Sequence, residues 1–378
     1  MAKRLTSSGR ICVGVLSGTS LDAVEAAVCH IQGTGARLKL SLLGHVSVPF
    51  PSALAEEVRR ANSAQALCTL SFEMGEWFAQ AALAALHACG VRPTDVDAIG
   101  SHGQTVAHLP PPHEPPGTLQ LGAPAIIAER TGIPTVFDFR SADIAVGGQG
   151  APLAPYLDWA AFRKPKRWRA FLNLGGIANL SVVGDVLSKT LAFDTGPANL
   201  LMDAIARRAT RGTLRCDLDG QLSRQGVIIP SLLAELLRHP FFERPPPKSA
   251  GWEEFGERLA TSLWQRFEKT PFDLIATLLE LTVESIGRAF DTHVLHGRVL
   301  EGIYVSGGGT RHAGLMRALV QRLAPTPVHP LDVLGFPERA KEAALFALLA
   351  SEHLAGTPAN VPSATGARAS VILGARTP

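Results

Sequence analysis

The chain has 378 residues, 46% of them apolar and 18% charged, with 36 glycines, 27 prolines and a formal charge of only +3. That length holds two domains, each large enough for its own core, and the near balance of charge excludes a nucleic-acid surface. The five cysteines are scattered without a CxxC pair, which argues against a disulfide framework or a zinc site; reduced thiols in a cytoplasmic protein fit this usage, no stretch approaches a membrane span, and the apolar run after Lys3 and Arg4 is too short for a signal peptide.

In chain order, the apolar run Ile11–Leu16 breaks at Ser17-Gly18-Thr19-Ser20 and a second run starts at Leu21, which predicts strand, turn, strand. Such a turn can aim backbone N–H groups and hydroxyls at one point and so hold phosphate, with Asp22 placed for a magnesium-bound triphosphate. A plain hairpin with a solvated Asp22 reads equally well from these residues alone. Leu38–Val48 is a further strand. From Pro51 to Gly90 the helical spacing runs through Leu54, Val58, Leu70, Met74, Phe78 and Leu86, with Gly90 as the C-cap.

Val96–Gly100 predicts a short buried strand delivering Ser101-His102-Gly103-Gln104-Thr105 to its carboxyl end, where open α/β sheets bind ligands. His102 taken alone reads as a satisfied structural histidine. A Pro-rich loop, a helix over Pro124–Thr131 and a strand over Pro134–Phe137 lead to Asp138-Phe139-Arg140. Arg140 can fork onto a carboxylate or phosphate, or pair internally with Asp138 or Asp143. The loop Gly147–Pro152 is rich in glycine and suits the passage from one domain to the next.

The second half repeats the opening. Ala170–Leu174, the turn Gly175-Gly176 and Ile177–Val183 (carrying Asn179 and Ser181) restate the first hairpin about 160 residues on, a sign of internal duplication. Strand Leu191–Phe193 ends in Asp194-Thr195-Gly196-Pro197-Ala198-Asn199, with Pro197 expected as the first residue of a helix. Asp194 then stands before a helix start, as an N-cap or as a carboxylate kept ionised by the helix end. Residues 239–256 resemble an irregular excursion or lid; Phe272–Phe290 is an amphipathic helix. Gly302–Val305 breaks into Ser306-Gly307-Gly308-Gly309, helices follow over His312–Leu323 and Pro337–Leu354, and Ser370–Leu373 is a short strand.

Three glycine turns after apolar strands, at Gly18, Gly175-Gly176 and Gly307-Gly308-Gly309, point to a bound nucleotide. GxxxxGK[ST], a complete GxGxxG and GxSxG are all absent. The sequence resembles the anhydro-N-acetylmuramic acid kinase family of the sugar kinase, actin and heat-shock ATPase superfamily. The resemblance rests on SGTSLD (Ser17–Asp22), GSHGQT (Gly100–Thr105), QLGAPAIIAERTG (Gln120–Gly132), DFRSADIAVGGQGAPLAP (Asp138–Pro155), NLGGIANLS (Asn173–Ser181), FDTGPAN (Phe193–Asn199), SGGG (Ser306–Gly309) and ERAKEAALFALLA (Glu338–Ala350).

The resemblance implies an α/β fold of two duplicated, ribonuclease H-like lobes about a central cleft, residues 1–142 plus 358–378 in one and 143–357 in the other. It implies a cytoplasmic, homodimeric enzyme of cell-wall recycling, with ATP and an anhydrosugar as partners and neither membrane nor nucleic acid. ATP and water would convert 1,6-anhydro-N-acetylmuramate into N-acetylmuramate 6-phosphate. Gly18, Thr19, Ser20, Leu21 and Asp22 would hold ATP phosphates, Asp22 also meeting Mg2+ directly or through water. Gly175 and Gly176 would form a second phosphate turn, and Gly307, Gly308 and Gly309 the adenosine side. Asp194 would be the general base, and Gln104, Thr105, Arg140 and Glu342 would line the sugar site.

The chain departs from the family pattern at Ala23, Ala198 and His312, where Gly, Gly and Asn are usual, and the two alanines require negative φ. Two other readings stand beside the main one: a kinase for another anhydrosugar such as levoglucosan, and a catalytically silent nucleotide-binding protein.

Overall fold

The computed structural model describes residues 9–18 and 21–378, the side chains of residues 252 and 253 excepted, so Thr19 and Ser20 of the first turn lie outside the described residues. Two compact units divide the chain, Met1–Phe162 with Arg339–Pro378, and Arg163–Glu338. The breaks follow Phe162 and Glu338 rather than residues 142 and 357, so the Gly-rich loop belongs to the first unit. The buried Asp143 carboxylate explains why. It accepts from the Gly150 N–H, Asn360 Nδ2 and Thr365 Oγ1, each at 2.8 Å, and so staples the loop to the C-terminal segment.

In the first unit β1 (Arg10–Ser17), β2 (Ala23–Gln32) and β3 (Lys39–Pro49) form an antiparallel meander. β4 (Ala98–Leu109) lies parallel to β1, β5 (Gly117–Leu121) folds back on the far end of β4, and β6 (Thr135–Phe137) lies parallel to β4. The order is β3-β2-β1-β4-β6, with Ala375–Arg376 on the β6 edge. The tail strand therefore falls at Ala375–Arg376 and not at Ser370–Leu373.

β4 is longer than Val96–Gly100 suggests. It leaves the parallel sheet at Gly103, where φ is +73°, and pairs with β5 from Gln104 onward. The polar residues 101–105 thus sit within one strand, at the end of its parallel part.

One face of this sheet is closed by the helix Ala64–Cys89, whose Met74, Phe78 and Leu86 pack on Val13, Val15, Val28 and Ile99. Ser63 caps its start and Gly90, at φ +65°, its end. The other face meets the alanine-rich helix Ala340–Leu354. Contact here is backbone to backbone. A Cβ on Gly14 would lie 1.8 Å from the Ala343 carbonyl oxygen, and one on its register partner Gly100 would lie 2.0 Å from that of Phe346.

In the second unit β7 (Trp168–Leu174), β8 (Ile177–Val183) and β9 (Leu191–Pro197) form another antiparallel meander. β10 (Leu300–Ser306) lies parallel to β7, and β11 (Val328–Pro330) parallel to β10, giving β9-β8-β7-β10-β11. Meander first, parallel strands after: both sheets share this ribonuclease H-like order, and the duplication holds. Side chains fill the second core, with Ala170, Leu172, Ile303 and Val305 against Val283, Ile286 and Phe290. Pro197 ends β9 instead of opening a helix, because β8 still pairs with it through Ile177; the helix runs Asn199–Ala209.

Candidate active site

In the first unit Gln104, Thr105 and Arg140 follow the ends of the parallel part of β4 and of β6. Arg140 donates from Nε and Nη2 to His102 Nε2, at 3.1 and 2.8 Å, and from Nη1 to the Gly150 carbonyl at 2.7 Å. Neither Asp138 nor Asp143 pairs with it: Asp138 caps the Ser141 N–H, and Asp143 is taken up by the staple. Burial lowers the Arg140 pKa to about 10, with Glu342 opposing, so the guanidinium stays charged near neutrality.

His102 answers this geometry. Its Nδ1 donates to the Gly103 carbonyl at 3.0 Å, which leaves Nε2 as the acceptor that Arg140 needs. Burial first, then the Arg140 charge, depress its pKa to about 3, so the ring is neutral. It also leans on Phe346 at 4.6 Å between centroids. The structural histidine of the sequence reading is therefore a holder of the arginine.

Gln104 is 3% exposed and donates to the Thr105 carbonyl at 3.1 Å, while its Oε1 has no hydrogen-bond partner among the described residues. A buried acceptor in that condition suits a ligand hydroxyl. Thr105 Oγ1 receives Gln120 Nε2 at 3.4 Å. Glu342 reaches solvent, yet surrounding protein raises its pKa; Lys341 and Arg140 act against that rise and Glu25 adds to it. Lys341 is itself held by Asp158 at 2.6 Å. In the first turn, the Leu21 N–H closes onto the Gly18 carbonyl at 3.1 Å with Leu21 at φ +56°, and Asp22 is exposed.

In the second unit the two remaining glycine turns lie side by side at the ends of β7 and β10. Asn199 Nδ2 donates to the Leu174 and Gly175 carbonyls at 2.9 and 2.8 Å. The N–H groups of Asn199 and Leu200 close onto Gly175 and Gly176 at 3.0 and 3.1 Å. A trans peptide sets N–H opposite C=O, so the Gly175 and Gly176 N–H groups turn together away from Asn199. Two such groups in succession can face an anion together. Gly307 and Gly309 are glycines by necessity, since a Cβ on either would lie 2.6–2.7 Å from Asn173 or Leu174. The Gly307 N–H donates to Glu338 Oε1 at 2.6 Å.

Asp194 lies inside β9, directly opposite Asn179 of β8. Asn179 Nδ2 donates to its Oδ1, the Ala250 N–H to its Oδ2 at 2.8 Å, and its own N–H reaches the Lys248 carbonyl at 2.9 Å. Neither the N-cap nor the helix-end reading holds, because the helix begins at Asn199 and its cap is Ala198. Burial instead raises the Asp194 pKa to about 6 against the Ala250 and Asn179 hydrogen bonds, with Glu254 adding to the rise.

The segment expected as a lid is pinned beneath this carboxylate. Phe241 and Phe255 are buried in it, and Lys248 Nζ is held by the Phe241 and Phe242 carbonyls at 3.2 and 3.4 Å.

The sequence pattern of the anhydro-N-acetylmuramic acid kinases matches residues 10–378. The chain belongs to that family. It is 38% identical over 380 residues to the anhydro-N-acetylmuramic acid kinase of Caldanaerobacter subterraneus subsp. tengcongensis, covering 97% of this chain and 96% of that one. With the Salinibacter ruber enzyme of the same name it shares 42% over 383 residues, again 97% and 96%. Among solved structures it is similar to the ROK hexokinase of Thermus thermophilus, at 17% identity, covering 89% and 97% of the two chains, with a TM-score of 0.41.

The departures from the family pattern are accommodated. Ala198 has φ −112° and Ala23 is not among the positive-φ residues. His312 caps the helix Ala313–Arg322 by accepting the Leu315 N–H at 3.1 Å, and its Nε2 meets Asp217 at 3.1 Å. Asn179, Asn199, Lys248 and Ala250 went unassigned in the sequence. For Asn179 a signal was present: a polar residue on the strand that the hairpin pairs with the one carrying Asp194.

Proposed function

We propose that the chain is an ATP-dependent kinase that opens the 1,6-anhydro ring of 1,6-anhydro-N-acetylmuramate with water and phosphorylates O6, giving N-acetylmuramate 6-phosphate and ADP. The observation that carries this reading is the Asp194 carboxylate, fixed at both oxygens and poised at a pKa of about 6 in a chain of this family. A general base works best near its operating pH.

On this reading Asp194 takes a proton from water as the water oxygen bonds to C1. The C1–O6 bond breaks, O6 attacks the γ-phosphorus, and the bond to the β,γ-bridging oxygen breaks to release ADP. Arg140, Gln104, Thr105 and Glu342 hold the sugar, while the Gly175-Gly176 and Gly18–Asp22 turns hold phosphates. Phosphoryl transfer needs positioning and charge neutralisation more than covalent help.

Mg2+ belongs to the same reading and would supply that neutralisation. Among the described residues no group of three or more His, Cys, Asp or Glu could hold a metal ion, and one carboxylate with phosphate and water oxygens is a donor set magnesium accepts. The exposed Asp22 fits it. A homodimer and a cytoplasmic setting complete the proposal on the strength of the family resemblance.

The test is turnover in 18O-labelled water with 1,6-anhydro-N-acetylmuramate and, in parallel, levoglucosan. Label at C1 of a 6-phosphate made from the muramate supports the reading. Preference for levoglucosan would move it to another anhydrosugar, and no ADP release with either would leave a silent nucleotide-binding protein.

A further inference from the structure

Asp194 stands on an outer strand. β9 is the last strand of its sheet, paired with β8 on one side. Residues 248–250, which belong to no helix or strand, lie along the other side. The Asp194 N–H donates to the Lys248 carbonyl at 2.9 Å, and the Ala250 N–H to Asp194 Oδ2 at 2.8 Å. Two of the bonds that fix the carboxylate residue thus come from an irregular segment, and such a segment opens readily unless something ties it down.

Lys248 is the tie. Its ammonium donates to the Phe241 and Phe242 carbonyls at 3.2 and 3.4 Å and stands 4.6 Å from the centre of the Phe241 ring. Phe241 is fully buried. The Phe242 ring lies against Gly196, two residues along β9 from Asp194, where a Cβ would meet Phe242 Cε1 at 2.8 Å. Anchor and carboxylate are therefore parts of one packed body. An apolar side chain would fill the same place more cheaply, because burial and then the Arg244 charge push the Lys248 pKa down; the Asp194 carboxylate opposes them.

We infer that Lys248 is a positioning residue for Asp194: it fastens residues 248–250 along the edge of β9, so that the carboxylate keeps both bonds to that segment. The inference rests on the kinase reading above and adds to it what holds the base in place. The charges around the base sort accordingly. Burial sets the Asp194 pKa high, Glu254 adds to the rise, and the Lys248 cation acts against it. Arg244 is paired with Glu254 at 3.0 Å, and Glu254 accepts the Gly251 N–H at 3.1 Å. His293 lies edge-on to Phe193, and burial first, then the Lys248 and His296 charges, lower its pKa.

The pH profile of kcat/KM for 1,6-anhydro-N-acetylmuramate tests this, with folding checked by thermal melting. Lys248→Met keeps the stem and removes the charge and its donors. Its kcat should fall about tenfold while the sugar KM changes less than about twofold, and the acidic limb should move up. Lys248→Arg should restore most of kcat and return the limb. Glu254→Gln still accepts from Gly251 but loses the opposing charge, so its limb should move down, whereas general loosening would move both variants the same way. Should Lys248→Met not fold, Lys248→Gln takes its place, with the limb again expected to move up. An unmoved limb in the folded Lys248 variant, a loss confined to KM, or a shift of the Lys248 and Glu254 variants in one direction overturns the inference. Wild-type turnover alongside any of these results shows that the positioning role has failed and the kinase reading has not. No ADP release from the wild type would remove both.

Discussion

The two sheets share one strand order and are closed by different means. In the first unit Gly14 and Gly100 let a helix lie against bare backbone, so carbonyl oxygens of Ala343 and Phe346 occupy the space of two missing methyl groups. In the second, Ala170 and Leu172 meet their covering helix through side chains. The difference extends to the candidate site. The first unit offers side chains, with Arg140 held by His102 and with Gln104 and Glu342, whereas the second offers turned backbone at Gly175-Gly176 and one held carboxylate. A close helix is a rigid support for Glu342, which rides on it; paired amides suit phosphates, whose charge is spread over several oxygens.

Breaking the second unit's contribution should have the largest effect. Asp194→Asn is expected to leave sugar and nucleotide binding in place while turnover falls about a thousandfold, read by ADP release and by calorimetric titration. Near-normal turnover would remove the base. In the wild type kcat/KM should rise with pH through about 6, because Asp194 must lose its proton to act.

Next comes the packing contrast. Gly100→Ala should destabilise the protein by about 3 kcal/mol, since a helix packed against bare backbone leaves no room for a methyl group, whereas Ala170→Gly in the second unit should change stability by only about 1 kcal/mol. Thermal melts of the two variants compare them directly, and similar losses would show that the glycine contact is not special.

Smaller effects sharpen the contrast between the units. Asn179→Ala takes away a bond that favours the ionised carboxylate, so the acidic limb of the pH profile should move up. The deficit, about tenfold on that limb, should shrink in alkaline buffer. His102→Leu should raise the sugar KM about fivefold through a loosened Arg140, with kcat changed less. His312→Asn should alter stability by about 1 kcal/mol or less, because asparagine caps a helix well and Asp217 keeps the Leu222 and Ser223 N–H groups.

Much of this was legible in the sequence where a local rule sufficed. The glycine turns, the duplicated hairpin and the Gly90 cap each follow from a local pattern, whereas the stretch read as helical from Pro51 to Gly90 is two helices, Ser52–Arg60 and Ala64–Cys89, parted where Ser63 caps the second. The extent of β4 was not legible, because its second half is made by pairing with β5 and not by its own pattern. The environment of Asp194 was read as a helix end for a similar reason: Asn179 comes from a neighbouring strand and Ala250 from 56 residues on. The domain break was hidden by the Asp143 staple, whose partners Asn360 and Thr365 lie more than 200 residues away. Long-range hydrogen bonds leave no periodicity.

The helix that presses on Gly14 and Gly100 is reached only after Glu338, at the end of the second unit. A ribosome therefore releases β1 to β6 long before it supplies their cover. The second unit, one unbroken stretch of chain, is complete before that helix is made, so its core can form first. Until then one face of a sheet built around two bare glycines waits for a segment made after the second unit, and a truncation that spares every site residue before 339 would still leave that face uncovered.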